Sequence, residues 1–375
     1  MNKDTQKIFS IQKLSIILLP KLKMKPFIMK KAFAVLLLFI VFQLFINNKT
    51  YSQEKDSFRV AFWNFENFFD PFVDSTRSYN EFTERGGQRW TVSRFYKKRN
   101  NMYKAILSLS EGESLAVLGI CEVENTFVTT MLFQETPLKK HNYRIIHYEG
   151  EDRRGIDVAL AYSTDKLQLI NSDAIKVRSP DNKYFRTRDI LYAKFYDKKK
   201  DTIHCFVNHW SSRYGGEKET IHLREMTAKL LKNKVDSLIK INNSIPKIII
   251  MGDFNDTPLD NSILNVLKAK PPEKASSNDT LINLFADGES LGFEGTLKHQ
   301  FRWQIFDQII ISSSLYNESE SLHYEKKSAA IFHQDFLFVD DETYGGKKLF
   351  RTYVGPKYQG GYSDHLPVYI DLKHN

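Results

Sequence analysis

Six short apolar runs, each with a small polar cluster at one end, constrain the fold of this chain more than any other feature. The runs cover residues 58–64, 115–122, 202–209, 247–253, 307–312 and 364–372. Each is apolar and rich in β-branched side chains, which predicts a buried strand. The polar residues follow the first four runs and precede the last two. If the last two strands run antiparallel to the others, all six clusters meet at one edge in a single composite site.

The residue types at these ends suit one kind of chemistry. A single Asp or Asn after a strand is common, because both residues favour turns. Six such polar ends indicate one functional site. Oxygen ligands suit a hard cation such as Mg²⁺, and His paired with Asp suits charge stabilisation and proton transfer. Phosphoryl transfer needs that combination, because negative charge must be neutralised while water is positioned in line with the leaving oxygen.

Helical segments are predicted between these strands. Apolar residues recur at helical spacing over 217–241 and over 93–109, which predicts two amphipathic helices. Thr257 and Pro258 fit the N-cap and first residue of a third helix over 259–267. Strands and helices mixed in this way predict an α/β sandwich. The long connections, 70–90, 268–299 and 328–359, are expected to determine substrate specificity.

The motifs resemble those of the metal-dependent endonuclease/exonuclease/phosphatase superfamily, and the resemblance covers roughly residues 58–372. They occur in that family's order, as FWNFENFF (Asn64), GICEVEN (Glu122), VNHWSSRYGG (Asn208 and His209), MGDFND (Asp253 and Asn255), FDQIII (Asp307) and YSDHLPV (Asp364 and His365). The resemblance implies the α/β fold of deoxyribonuclease I, a four-layer α-β-β-α sandwich in which helices flank two mixed β-sheets.

The resemblance also implies a metal site and a water-activating group. Glu122 is expected to hold the divalent ion, with Asn64 and Asp364 completing the site directly or through water. The ion is expected to be Mg²⁺, with Mn²⁺ and Ca²⁺ as alternatives. Asp253 is expected to orient or deprotonate the attacking water, and Asn255 to hold that water or a phosphate oxygen.

Histidines complete the implied catalytic set. His209 and His365 are expected to donate hydrogen bonds to the charge that develops on phosphorus or on the leaving group. Asp307 resembles the family carboxylate that pairs with the last histidine and fixes its orientation. Asp157 is a candidate second carboxylate for bracing His209.

Further residues are candidates for gripping phosphate. Arg154 and Arg188 precede predicted strands, and arginine matches phosphate oxygens bidentately; solvated loop arginines are the alternative. Asn208 is assigned to the same phosphate-binding group. Trp210, directly after His209, is a candidate wall of the phosphate pocket, although core packing is the alternative interpretation for any single tryptophan.

The first 52 residues are expected to lie outside the fold. A basic start at Met29 is followed by an apolar stretch over 32–45, which predicts a signal peptide with Met29 as the true initiator. An uncleaved membrane anchor is the alternative. Residues 53–375 are then one domain, secreted or periplasmic. Cys121 and Cys205 are expected to be buried thiols, with a bridge left open if their strands are neighbours.

Most of the positive charge lies in the leader. The chain has a formal net charge of +9, of which residues 1–52 contribute +8, so residues 53–375 carry about +1. Broad capture of nucleic acid comes with clustered Lys and Arg, so this balance supports it only weakly. The run at 97–99 is a candidate basic patch, with a solvated helix face as the favoured interpretation.

These observations predict a secreted or periplasmic endonuclease or other phosphodiesterase that uses metal-assisted, in-line attack of water. DNA or RNA is the favoured substrate, with a lipid headgroup as an alternative. Sphingomyelinase-like and inositol-phosphatase-like activities are alternatives, as is a non-catalytic module that only holds a phosphorylated ligand. The intact reactive set argues against that last hypothesis. A monomer with no obligate protein partner is expected.

Overall fold

A computed structural model describes residues 58–72, 81–179, 182–276 and 279–375. These residues belong to a compact unit that spans Asp56–Asn375. The signal peptide and initiator predicted within residues 1–52 lie outside the described residues. Among the helices that are described, none is long and apolar enough to cross a membrane.

The first sheet is mixed and has seven strands in the order β14-β20-β1-β2-β4-β3, with β15 also beside β20. Strand β1 runs parallel to β2, and the other pairs are antiparallel. The strands are β1 (Phe58–Phe68), β2 (Val117–Val123), β3 (Tyr143–His147), β4 (Asp157–Ser163), β14 (Leu322–Tyr324), β15 (Ala330–Ile331) and β20 (Val368–His374).

The second sheet is also mixed and has the order β5-β6-β7-β8-β13-β10-β9. Strands β7 and β8 are parallel, as are β9 and β10. The strands are β5 (Leu167–Ile175), β6 (Ile190–Asp197), β7 (Thr202–His209), β8 (Lys247–Asp253), β9 (Ala269–Lys270), β10 (Leu281–Asn283) and β13 (Asp307–Ser312).

The described residues also form three hairpins that project from the sheets, four α-helices and several shorter helical turns. The hairpins pair β11 (Leu297–His299) with β12 (Arg302–Gln304), β16 (Phe338–Asp340) with β17 (Lys347–Leu349), and β18 (Tyr353–Val354) with β19 (Lys357–Tyr358). The α-helices are α1 (Val92–Leu109), α2 (Thr126–Phe133), α3 (Glu217–Asn242) and α4 (Ser313–Tyr316). Single 3₁₀ turns occur at Pro137–His141, Pro272–Lys274, Gly288–Leu291 and Asp335–Leu337, and a π turn at Ser262–Leu267.

The alternation of side chains in the second sheet explains the layers. In β8, Ile249 and Met251 face the core between the two sheets, whereas Ile248 and Ile250 pack with the helix α3. Strands buried on both faces read as continuous apolar runs, which is why the six runs are visible in the sequence. On the first sheet, Phe95 of α1 stacks on Phe68. The four-layer α-β-β-α sandwich is confirmed.

All six predicted strands are present, and the last two run antiparallel to their neighbours β8 and β1. The final strand begins at Val368, whereas the sequence pattern predicts a start at Asp364. Pro367 has no N–H to donate to a neighbouring strand, so Asp364 and His365 lie in the turn before it.

Two helix predictions are confirmed by α1 and α3, whereas the third segment is a π-helix over Ser262–Leu267 whose cap and start differ from the prediction. Thr257 does not cap a helix, because its N–H and hydroxyl both donate to the Asp260 carboxylate, at 2.6 and 2.9 Å. Only the π turn follows it. Cys121 and Cys205 lie in different sheets and are both free thiols.

Candidate active site

Two irregular strands aim side chains out of the first sheet. The register of β2 shifts between Cys121 and Val123, and Glu122 between them has a left-handed φ of 58°. Such a conformation costs a non-glycine residue about 1–3 kcal/mol and is retained mainly where it serves a site. In β1 the register shifts after Asn64, and Asn67 (φ 56°) donates its N–H to Glu122 Oε2 at 2.9 Å. The bulges therefore turn the Glu122 carboxylate to the sheet edge.

Strand register places three reactive side chains in one row of the second sheet. Asp253 at the end of β8 is directly opposite His209 of β7 on one side and Asp307 of β13 on the other. Residues opposite each other on neighbouring strands point to the same face. The predicted meeting of these clusters at one edge is therefore observed.

Asp253 is the centre of the cluster. Its Oδ2 accepts a hydrogen bond from Asn64 Nδ2 at 3.0 Å. The same oxygen lies 3.7 Å from His209 Nε2 and 3.8 Å from His365 Nε2. Glu122 Oε1 lies 3.8 Å from His209 Nε2. Burial, with a further contribution from the Asp307 charge, raises the pKa of Asp253 to about 6.

His365 is held by a buried carboxylate. Its Nδ1 lies 2.7 Å from Oδ2 of the fully buried Asp307. Its carbonyl accepts from Trp63 Nε1, and its N–H donates to Ser363 Oγ, which donates to the carbonyl of Asn64. The turn that carries His365 is therefore fixed to β1.

The two histidines have opposite charge preferences. Burial opposes the charged form of His365, yet Asp307 and Asp253 outweigh it and raise its pKa well above the usual range. Burial lowers the pKa of His209 far below that range, and the nearby Arg188 and Arg154 charges add to the effect. The surroundings therefore favour the imidazolium form of His365 and the neutral imidazole form of His209.

The turn after β8 is fixed by buried ion pairs that have no signal in the sequence pattern. Asn255 donates its N–H to Asp253 Oδ1 at 3.0 Å and its side-chain amide to the carbonyl of Trp210. Asp256 is buried and lies 2.7 Å from Nε of the fully buried Arg224, with Arg213 at 3.0 Å on the same oxygen. These contacts hold the Asp253 turn against α3.

Removing this anchor is expected to destabilise the protein strongly. Asp256→Ala leaves the Arg224 guanidinium buried without its partner, a change that costs about 3–5 kcal/mol. Glu217→Ala is the matched control, since Glu217 also pairs with an arginine but is exposed, and it should cost less than about 1 kcal/mol. Urea unfolding of both variants tests this prediction. Equal unfolding midpoints would show that the buried ion pair stabilises the protein no more than the exposed one.

The two candidate arginines lie beside the cluster. Arg188 is buried, donates to the carbonyl of Trp210 and pairs with Asp152 at 3.1 Å. Arg154 lies near the other oxygen of Asp152, at 3.7 Å, and is more exposed. Both depress the pKa of His209, so both act within its electrostatic range. Their role as phosphate ligands stays a prediction.

Three assignments need correction. Trp210 is only 1% exposed and packs edge-on against Phe254 in the core, so it does not form a pocket wall. Asn208 is fully buried and accepts from Trp210 Nε1 at 3.1 Å, which makes it a support for that ring rather than a group presented to phosphate. Asp157 pairs with His147 at 3.4 Å and accepts the N–H of Gly150, so it does not brace His209.

Asp364 belongs to a second group of charges next to the cluster. Arg351 Nη2 contacts Asp364 Oδ2 at 2.7 Å, and its Nε contacts Glu66 Oε1 at 3.0 Å. Lys98 is fully buried and donates to the carbonyl of Glu66 and to Thr352 Oγ1. The solvated helix face favoured for the run at 97–99 is therefore wrong for Lys98, and burial lowers its pKa to about 8. That Asp364 serves as a metal ligand stays a prediction.

The close approach behind this second group requires glycine. A Cβ at Gly361 would collide with the carbonyl groups of Phe350 and Arg351. Gly361→Ala should therefore push the Arg351 segment away from Asp364, cost about 1–3 kcal/mol of stability and lower any activity of the site. Gly87→Ala is the control, since its Cβ would make only ordinary contact with Glu81. Thermal melts compare the two, and equal melting temperatures would contradict the collision.

A match to a family model supports the resemblance that the sequence motifs indicate. The model of the Endonuclease/Exonuclease/phosphatase family matches residues 59–374. The chain belongs to this family. Its members hydrolyse phosphoester bonds. No curated protein sequence is significantly similar to the chain.

Solved structures of this family share the fold at low identity. A mannosyl-6-phosphatase from Bacteroides thetaiotaomicron is 18% identical, with a TM-score of 0.53 over 84% of this chain and 100% of its own. The catalytic domain of human nocturnin with bound sulfate is 18% identical, with a TM-score of 0.51 over 85% and 95%. ANGEL2, a 2′,3′-cyclic phosphatase bound to adenosine-2′,3′-vanadate, is 13% identical, with a TM-score of 0.52 over 85% and 96%.

Enzymes of the endonuclease/exonuclease/phosphatase family typically depend on a divalent metal, and the residues here fit one. Glu122 and Asp253 are carboxylates beside the neutral His209, and among the described residues neither has a Lys or Arg within ion-pair distance. Two carboxylates so placed, with the amide of Asn64, are hard oxygen donors suited to Mg²⁺ or Mn²⁺. Glu122, Asp253 and Asn64 would hold the ion.

Proposed function

We propose that the protein is a divalent-metal-dependent phosphoester hydrolase in which water attacks phosphorus in line with the leaving oxygen. The observation that carries the proposal is the convergence on Asp253 Oδ2 of Asn64, His209 and His365, with His365 fixed by Asp307. A carboxylate between two histidines of opposite charge preference offers both a proton acceptor and a hydrogen-bond donor. A single site of this kind serves water activation and charge stabilisation together.

Each residue has a role that follows from its contacts. When bound, a divalent ion would neutralise phosphate charge and polarise the P–O bond. Asp253, held by Asn64 and by the N–H of Asn255, would orient the attacking water and accept its proton. His365, kept cationic by Asp307, would donate from Nε2 to a phosphate oxygen as charge develops on it. His209, a neutral imidazole, would donate or accept a hydrogen bond without adding charge.

The substrate proposed first is a phosphodiester, either DNA or RNA, cleaved outside the cytoplasm. The order of the reactive residues and the signal peptide expected in residues 1–52 support it. Lipid headgroup diesters and inositol-type phosphates are the alternatives.

A second candidate is a phosphomonoesterase. The near-neutral charge of residues 53–375 supports it, because capture of a nucleic acid strand relies on clustered positive charge. One protein with the same fold is a mannosyl-6-phosphatase. The fold therefore accommodates substrates other than nucleic acid strands.

A substrate panel tests the proposal. Plasmid DNA, RNA, sphingomyelin, p-nitrophenyl phosphate and bis-p-nitrophenyl phosphate are each incubated with the protein and with Mg²⁺, Mn²⁺, Ca²⁺ or EDTA. Metal-dependent hydrolysis of at least one substrate is expected, and the preferred substrate decides between diester and monoester. No hydrolysis of any substrate with any metal would leave the non-catalytic, ligand-holding module in its place.

A further inference from the structure

A cavity of about 380 Å³ opens directly beside the catalytic cluster. Its walls come from the three projecting hairpins and the loops that join them, not from the two sheets. The lining includes Lys298, His299, Tyr344, Lys348, Arg351 and Asp364. Asp364 is the neighbour of His365 in the chain, so a group bound in this cavity lies next to the reacting phosphate. The long connections expected from the sequence to carry substrate choice supply most of this lining.

Arg351 stands at the junction between the cavity and the cluster. Its Nε and Nη2 contact Glu66 and Asp364. Its other N–H groups have no partner among the described residues, and 40% of the side chain is exposed. The proximity of Asp364, stronger than the opposing effect of burial, raises the Arg351 pKa further above its usual range. A fixed guanidinium with spare donors at a cavity mouth suits an anionic oxygen.

Hydrogen bonds connect the cavity walls to the segment that carries Asp307, which pairs with His365. Thr296, just before β11, is fully buried, and its hydroxyl accepts the N–H groups of Phe306 and Asp307 at 3.2 Å. On the other side, Lys298 joins β11 to the β16–β17 hairpin through Asp341 at 2.8 Å and the carbonyl of Lys347 at 3.0 Å. The cavity is thus held in a fixed position relative to the Asp307–His365 pair.

The cations of the lining exceed its anions. Asp341 is neutralised by Lys298, and Asp364 by Arg351. Lys348 lies 3.7 Å from Asp341, which already has a closer partner, and 40% of its side chain is exposed. Lys348 and the spare donors of Arg351 therefore remain available to a ligand.

We propose that this cavity binds the alcohol portion of a compact phosphoester that carries a second anionic oxyacid group, a phosphate or a carboxylate. Lys348 and Arg351 hold that second group, and the scissile phosphate lies at Asp253 and His365. This inference rests on the proposed hydrolase function, and it favours a compact substrate over the DNA or RNA strand proposed first.

Size and charge support a compact substrate. The volume is near the lower end of the roughly 300–1,000 Å³ found for small-molecule sites. Polymeric nucleic acid is captured mainly by clustered positive charge over an extended surface, and residues 53–375 carry a net charge of only about +1. The cavity thus favours one sugar-sized group over a nucleic acid strand.

The test compares three matched sugar phosphates with the full chain and Mg²⁺. Glucose 6-phosphate has no second anion, 6-phosphogluconate adds a carboxylate, and glucose 1,6-bisphosphate adds a phosphate. A charge-assisted hydrogen bond is worth about 1.5–3 kcal/mol, so kcat/KM for at least one of the two substrates with a second anionic group should exceed that for glucose 6-phosphate about tenfold or more. Which of the two is preferred identifies the second group.

The variant Lys348→Met should raise KM for the preferred substrate about tenfold, leave kcat unchanged and leave p-nitrophenyl phosphate hydrolysis unchanged. Lys347→Met is the matched control, because Lys347 is 64% exposed and pairs with Asp340, and it should change neither value. Equal KM values for all three sugar phosphates, or the same KM in Lys348→Met and the parent, would overturn the inference.

Calorimetric binding of 6-phosphogluconate and glucose 1,6-bisphosphate to the same variants separates this inference from the proposed function. If no substrate of the panel is hydrolysed with any metal, the hydrolase proposal fails. Binding of either ligand that is weakened by Lys348→Met and not by Lys347→Met would still establish the cavity as an anion site. No measurable binding of either ligand, or equal binding by both variants, would remove it.

Discussion

Replacing Asp253 by asparagine is expected to lower kcat for phosphoester hydrolysis about 10³-fold or more. The carboxylate contacts or approaches Asn64, His209 and His365 through one oxygen. An amide at that position cannot accept the proton of the attacking water, and it offers the metal a single weak oxygen donor. Loss of general base catalysis alone accounts for about 10²–10⁴-fold, and weakened metal binding adds to it.

The same substitution should leave the fold intact. Burial outweighs the attraction of His365 and raises the pKa of Asp253 to about 6, so on balance the fold disfavours the charged form of Asp253 at neutral pH. The melting temperature of Asp253→Asn measured without added metal should therefore equal or exceed that of the parent. Asp236→Asn, an exposed aspartate in α3, is the activity control. Activity within tenfold of the parent in Asp253→Asn would remove Asp253 from the catalytic role.

Asp307→Asn is expected to lower kcat about 10²–10⁴-fold although Asp307 does not face the substrate. Its carboxylate fixes His365 through Nδ1 at 2.7 Å. In serine proteases, asparagine in place of the aspartate that holds the catalytic histidine favours the wrong tautomer and lowers kcat about 10⁴-fold. The loss here should fall on kcat rather than KM, because the orientation of His365 matters most when charge develops on the phosphate.

The pH profile distinguishes this role from a structural one. Asp307 and Asp253 outweigh burial and raise the pKa of His365, so the imidazolium persists well above its usual pKa of about 6.5 in the parent. Without the Asp307 charge that pKa falls, and the alkaline limb of kcat should move to lower pH. Asp340→Asn, an exposed aspartate, is the control. An alkaline limb that does not move in Asp307→Asn would show that the pair does not set the charge of His365.

The residues at the sheet edge could be predicted from the sequence, because each strand and the polar residue at its end can be recognised from a local pattern. Central strands buried on both faces read as apolar runs, and the residue at the end of each run lies at the sheet edge. Register then brings His209, Asp253 and Asp307 into one row. The residues of the main cluster could be found because each directly ends or begins a run.

The contacts of the second charge group, around Glu66 and Arg351, could not be predicted. Arg351 reaches Glu66 across 285 positions, and Lys98 reaches Thr352 across 254. Neither arrangement leaves a periodic pattern, and Lys98 lies in a basic run of the kind that is usually solvated. The same limit explains Asp157 and Trp210, since position next to a motif does not reveal which way a side chain points.

We propose that phosphoester hydrolysis takes place at one metal-dependent site around Asp253 and His365. The most direct test measures bis-p-nitrophenyl phosphate hydrolysis by the parent, Asp253→Asn and His365→Gln, each with Mg²⁺ or Mn²⁺ and again with excess EDTA. We expect turnover by the parent with metal, none with EDTA, and a loss of about 10²-fold or more in both folded variants. Turnover that survives EDTA, or that persists undiminished in both variants, would place the chemistry elsewhere.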